Sequence, residues 1–92
     1  MIKSFRHKSL RDLFETGRGK GVRPDLLERV VERLDVLDNV TKLEDLNLPG
    51  YGLHSLKGGK KGRHAISVNG PWRITFEWDG EYVAKVDLEQ YH

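Results

Sequence analysis

The stretch His64-Ala65-Ile66-Ser67-Val68-Asn69-Gly70-Pro71-Trp72-Arg73-Ile74-Thr75-Phe76-Glu77-Trp78-Asp79-Gly80 decides the fold. Its apolar residues Ile66, Val68, Trp72, Ile74, Phe76 and Trp78 all stand at even positions. A period of two is the signature of a strand with one buried face. Asn69-Gly70-Pro71 is a turn signal, so two strands meet there. Asp79-Gly80 marks a second turn, and Tyr82 to Asp87 reads as a last strand with Tyr82, Ala84 and Val86 again at even positions. A three-residue loop at the second turn keeps even facing even, and burial of a whole face at ~25 cal/mol per Å² favours that register. The other face then presents Arg63, Ala65, Ser67, Arg73, Thr75, Glu77, Val83, Lys85 and Asp87. It is expected to be polar, partly basic and uncovered.

Working outward, Leu53 to Leu56 is a short extended piece, followed by the basic loop Lys57-Gly58-Gly59-Lys60-Lys61-Gly62. The N-terminal half is helical. Ile2 to Phe5 alternates as a short first strand, and Ser9 is the expected cap of a helix with Leu10, Leu13 and Phe14 on its apolar stripe. Gly17 ends it. Gly17-Arg18-Gly19-Lys20-Gly21 lacks the GxxxxGK[ST] spacing of a phosphate loop, so a nucleotide site is rejected. Pro24 opens a second helix with Leu27, Val30, Val31, Leu34 and Leu37 inward and Glu28, Arg29, Glu32, Arg33 and Asp35 in solvent. Thr41-Lys42-Leu43-Glu44 reads as a capping box that starts a short turn. The order is α+β, with two N-terminal helices packed on one face of a small antiparallel sheet. At 92 residues, the expectation is a single domain over 1–92.

Composition narrows the function classes. The chain has no cysteine, which excludes disulfides and thiolate metal sites. No apolar run reaches the ~20 residues of a membrane span, and the charged start is not a signal peptide, so a cytoplasmic chain without membrane contact is expected. The net charge of +2 conceals four blocks. Residues 1–23 carry seven bases and two acids, and residues 24–45 carry three and seven. Residues 46–76 hold Lys57, Lys60, Lys61, Arg63 and Arg73 with no acid, and residues 77–92 hold one base and five acids. A 31-residue run without a carboxylate suggests a surface for an anion.

The residues able to do chemistry are His7, His54, His64, His92, Lys57, Arg73 and Tyr91. Histidine exchanges protons near neutral pH unaided. His7 reads as a surface residue, and His64, on the apolar parity, as structural. The histidine spacing fits no metal motif, so no metal or other cofactor is expected.

The start Met1-Ile2-Lys3-Ser4-Phe5, the segment Leu53-His54-Ser55-Leu56-Lys57-Gly58, the strand Trp72-Arg73-Ile74-Thr75-Phe76 and the terminal Tyr91-His92 together resemble the HigB toxins of bacterial toxin–antitoxin pairs, in the RelE superfamily. The resemblance spans the chain and implies the compact microbial-RNase (RelE-like) fold. It implies a metal-independent endoribonuclease that cuts mRNA in the ribosomal A site, inhibits translation, and is neutralised by a HigA-like helix-turn-helix antitoxin. Operator DNA would be touched only through the antitoxin complex. Carried over by position, the active-site residues are His54, Lys57, Arg73, Tyr91 and His92. Lys60, Lys61 and Arg63 are expected to bind RNA. In one departure from the family pattern, Gln90 stands where relatives commonly have an acid before the final Tyr-His, with Glu89 one position earlier.

The chemistry fits these groups. RNA brings its own nucleophile, the 2′-hydroxyl. Arg73 and Lys57 are assigned to the phosphate, His54 and His92 to proton transfer, and Tyr91 to stacking or positioning. The alternative is a catalytically weak RNA- or ribosome-binding module of the same fold. A second rival is a pure interaction protein that offers the polar face to another protein. Loss of growth arrest with retained ribosome binding on His92→Gln separates the enzyme from the binding module.

Overall fold

Pro24 and the apolar period after it produce the longest helix, α2 (Pro24–Asn39), preceded by α1 (Lys8–Thr16). A computed structural model describes residues 1–57 and 62–91. Lys60, Lys61 and His92 lie outside the described residues. After α2 come a 3₁₀ turn at Leu43–Leu46 and four strands, β1 (His54–Ser55), β2 (Arg63–Asn69), β3 (Trp72–Trp78) and β4 (Val83–Gln90). They pair antiparallel in the order β1-β2-β3-β4. The expected α+β arrangement is the observed one. No described helix is long and apolar enough to cross a membrane.

Helix ends follow local chemistry more closely than the cap rules suggested. His7, not Ser9, caps α1, its Nδ1 accepting from the Leu10 amide at 3.3 Å. A ring nitrogen with a lone pair serves an N-terminal amide as a hydroxyl oxygen does. Gly17 ends α1 at φ 78°, where a side chain would be strained. At the 3₁₀ turn the reciprocal carboxylate is Asp45, not Glu44: it accepts from the amides of Thr41 and Lys42 at 3.2 and 3.3 Å. These bonds hold its carboxyl below the usual range.

The apolar faces meet as expected in outline. Ile66, Val68, Ile74 and Phe76 are buried on the helix side of the sheet, against Leu10, Leu26, Val30, Leu34 and Leu37. On α2 the stripe is rotated. Leu26 and Arg33 are buried, whereas Val31 is 47% exposed. Arg33, expected in solvent, lies 4.4 Å over the Tyr51 ring, donates through Nε to the Ser67 carbonyl at 2.7 Å, and pairs with Glu32. The Tyr51 hydroxyl donates to the same Glu32. Burial first, then that bond, pushes the phenol up to about 12. A planar cation stacked on an aromatic face, bonded to a carbonyl and paired with a carboxylate loses less by burial than a bare one, so it can join a core. With Arg29 donating to the Val68 carbonyl at 3.3 Å, it ties α2 to the end of β2.

The last turn departs from the expected register. Trp78 faces Val83 and Glu77 faces Ala84, which makes the connection four residues long. Asp79 shapes it by accepting from the amides of Glu81 and Tyr82 at 2.8 and 2.6 Å. This phase alone would send Val86 and Leu88 to the wrong side. The register then slips between Thr75 and Glu77, so that Thr75 faces Asp87 and Ile74 faces Leu88. Lys85 sits at the slip with φ 51°. One extra residue in a strand resets its alternation. Val83 and Val86 therefore both reach the core fully buried, while Tyr82 and Ala84 are only partly covered. The three-residue loop, and Val83 on the polar face, are corrected.

The first segment does not form a full strand. Ile2 and Phe5 make parallel bridges to Val83 and Val86 along the free edge of β4. The Lys3 amide donates to the Val83 carbonyl at 2.7 Å, and the Arg6 amide to the Val86 carbonyl at 2.8 Å. The Ile2 amide donates to Asp38 Oδ1 at 3.0 Å, anchoring the segment to α2. An edge covered in this way is closed to pairing with another chain.

Candidate active site

Alternation puts Ala65, Ser67, Arg73, Thr75, Glu77, Asp87 and Glu89 on the sheet face away from the helices. Cross-strand pairs order it. His54, Ala65, Thr75 and Asp87 form one row, and Ser67, Arg73 and Glu89 the next. Short side chains at Ala65 and Ser67 thus separate His54 from Arg73.

Tyr91 lies between them. Its amide donates to the Pro71 carbonyl at 2.7 Å, which holds the end of the chain beside the β2–β3 turn. Its ring centroid is 5.9 Å from that of His54, edge-on at 69°. On the other side the Arg73 guanidinium is 5.8 Å from the same ring. Arg73 is fixed by donating from Nη1 to the Gly70 and Trp72 carbonyls at 2.6 and 3.0 Å. Three expected site residues, from an edge strand, a central strand and the C-terminal end, are therefore brought together. Lys57 stands exposed just past β1.

The His54 imidazole is oriented. Its Nδ1 lies 3.0 Å from the Gly52 carbonyl, which can only accept. In the neutral ring Nδ1 therefore carries the hydrogen and Nε2 the lone pair, the form needed to take a proton. His64 serves a different purpose. It packs on Phe76 at 5.7 Å and its Nδ1 lies 3.1 Å from Ser55 Oγ, with its pKa lowered by burial.

Arg63 does not sit where an RNA-binding residue should. It is 4% exposed and turned inward. Its Nη2 donates to Thr75 Oγ1 at 2.9 Å and to the Lys85 carbonyl at 3.0 Å. Its Nη1 lies 3.8 Å from Glu77 Oε2, which also meets Lys85 Nζ at 3.6 Å. Burial, and then the nearby Arg6 charge, lower its pKa, opposed by Glu89, Glu77 and Asp87. The face is thus partly closed at its centre, with Ala65 and Thr75 fully buried, and it mixes signs. The acid-free run of residues 46–76 holds in sequence only, because β4 lays its carboxylates beside that run. Sequence reasoning missed Thr75 as part of the site's support. Its parity with Arg73 was the available signal.

The sequence profile of the HigB-like toxins, described as RelE-like toxins of the type II toxin–antitoxin system HigB, matches residues 3–92. This chain belongs to the HigB-like toxin family. It is 41% identical over 92 residues, covering 100% of both chains, to the endoribonuclease HigB of Proteus vulgaris. It is 31% identical over 80 residues, 85% of this chain and 84% of the other, to the toxin HigB-1 of Vibrio cholerae serotype O1. Among solved structures, the YoeB dimer from Staphylococcus aureus superposes with a TM-score of 0.61 at 13% identity, covering 99% of this chain and 94% of that one, a likeness of fold. Membership in the HigB-like family makes the chain a type II toxin, and a toxin of this type has an antitoxin partner.

Proposed function

We propose that this HigB-like toxin is a metal-independent endoribonuclease that cuts mRNA held in the ribosomal A site and so stops translation. The observation that carries the reading is the juxtaposition of an oriented His54 and a fixed Arg73 on either side of Tyr91. An imidazole that can move a proton and a planar cation that can meet phosphate charge are groups that 2′-hydroxyl attack can use, and the ring between them offers a surface for stacking. The new bond joins the 2′ oxygen to phosphorus, and the bond to the 5′ oxygen breaks. One histidine takes the 2′ proton and another gives a proton to the leaving oxygen; His54 and His92 fill these roles. Arg73 and Lys57 meet the charge that grows on the phosphate oxygens. Tyr91 stacks on a base or seats the phosphate. Each proton transfer contributes about 10²–10⁴-fold.

The antitoxin partner is a HigA-like helix-turn-helix protein, operator DNA is met only through their complex, and the toxin acts in the cytoplasm as one domain over 1–92. The direct test is to mix the purified chain with ribosomes carrying a defined mRNA and to read the cut ends. A 2′,3′-cyclic phosphate with a 5′-hydroxyl is expected. A free 3′-hydroxyl with a 5′-phosphate would overturn the mechanism.

A further inference from the structure

Beneath the site lies a chain of polar groups whose direction is forced by chemistry. Arg63 can only donate and a carboxylate can only accept, while a hydroxyl does one of each. Thr75, fully buried between them, accepts from Arg63 Nη2 and donates to Glu89 Oε2. The second bond of Arg63 Nη2 goes to the Lys85 carbonyl at 3.0 Å. Lys85 is the residue with φ 51° at the register slip, outside the cross-strand pairs of β3 and β4, so its carbonyl is available to a side chain. Nη1 of the same guanidinium is fully buried and has no hydrogen-bond partner among the described residues.

Burying a cation is unfavourable unless its geometry is used, and apolar residues of similar volume often stabilise a fold as well or better. Here the bonds lead to one place. Glu89 is the cross-strand partner of Arg73 and stands two residues before Tyr91. Gln90 is exposed and pairs with Trp72, on the opposite parity. The carboxylate on the site face at this end of β4 is therefore that of Glu89.

Building on the endoribonuclease reading, we infer that Arg63 and Thr75 are positioning residues of the site: acting through Glu89, they hold the end of β4 and set the Tyr91 ring between His54 and Arg73.

The test measures kcat and KM for mRNA cleavage on programmed ribosomes, with the parent chain and Thr75→Val, Thr75→Ser and Glu89→Leu. Leucine removes the acceptor of the Thr75 hydroxyl, which glutamine would keep. Thr75→Val is nearly isosteric and leaves Arg63 Nη2 its bond to the Lys85 carbonyl, and Glu89 is only partly buried. Each variant is assayed at a temperature where its melting curve shows it folded. Misplacing a reacting group by about 1 Å costs on the order of 100-fold, so Thr75→Val and Glu89→Leu are each expected to lower kcat by roughly 10- to 100-fold with little change in KM. Thr75→Ser keeps the hydroxyl and restores kcat. The double variant Thr75→Val/Glu89→Leu is no worse than the poorer single one, because both cut the same path. Parent-like kcat in Thr75→Val and Glu89→Leu, or equal losses in Thr75→Val and Thr75→Ser, would overturn the inference while leaving the nuclease reading intact. A parent chain that does not cut ribosome-bound mRNA overturns the nuclease reading and the inference with it.

Discussion

The two faces of the sheet are held by different physics. Against the helices, Phe76, Ile66, Ile74, Val83 and Val86 are fully buried and interact mainly by area. Any neighbour of suitable size is accepted there, and the register can be adjusted by a bulge to keep the pattern intact. On the other face Arg63, Thr75 and Glu89 meet through directional bonds, with Glu77 in an ion pair with Arg63. There each partner specifies the next, and losing one leaves a buried group unsatisfied. Stability is concentrated on the first face and orientation of the site on the second.

This contrast can be broken first on the apolar side. Phe76→Ala removes a fully buried ring at the centre of the core, and about 3–5 kcal/mol of stability should go with it. Urea denaturation reads this directly; a loss below about 1 kcal/mol would show that the face is not the main source of stability. The converse is Arg73→Ala. Loss of a charge-stabilising donor is expected to slow mRNA cleavage by about 10²–10³-fold. Its melting temperature should stay close to that of the parent, and a large drop would show that Arg73 belongs to the scaffold instead.

A pH experiment sharpens the comparison at the point where a titratable ring enters the apolar face. Burial lowers the pKa of His64 below its ordinary 6.5, so the unfolded chain binds the proton more readily than the folded one. The stability His64 gives as a neutral ring is complete above pH 6.5 and falls as the pH drops from 6.5 through the lower folded value. His64→Gln should flatten that part of the curve relative to the parent, as judged by denaturation midpoints at pH 5 and pH 8. Parallel curves would show that the ring charges as freely in the fold as outside it. The smallest effect is expected at the β3–β4 loop, where two backbone amides lower the Asp79 carboxyl pKa. This contribution is present above pH 3.8 and lost as the pH falls through the lower folded value. Asp79→Asn should reduce the acid sensitivity of the melting temperature slightly and leave mRNA cleavage unchanged.

What could be read in the sequence follows the same division. Parity alone placed Ile66, Val68, Ile74 and Phe76 correctly and bounded β3 at Trp72 and Trp78. Apolar burial is averaged over many residues, so a simple period captures it. The errors came from single residues with specific partners. Lys85 in a left-handed conformation carries no sequence signal, yet it lets Val83 and Val86 share the core across the register slip. Arg33 and Arg63 were assigned to solvent and to RNA because they are charged, but long cations are buried wherever a ring, a hydroxyl or a carbonyl meets them. At the candidate site, His54, Arg73 and Tyr91 are singled out by a family resemblance. Their meeting depends on an edge strand, a central strand and the end of the chain converging, which no local pattern encodes.

The bridges of Ile2 and Phe5 to β4 have a practical consequence for anyone handling this toxin. The N-terminal segment begins beside Val83, at the far end of β4 from Tyr91, with Met1 63% exposed. Eight residues of strand separate the two points, about 23 Å at the usual rise. A tag or fluorophore placed before Met1 leaves the molecule at a distance from the rings. The same group attached beyond Tyr91 starts beside the His54 and Arg73 side chains that flank its ring.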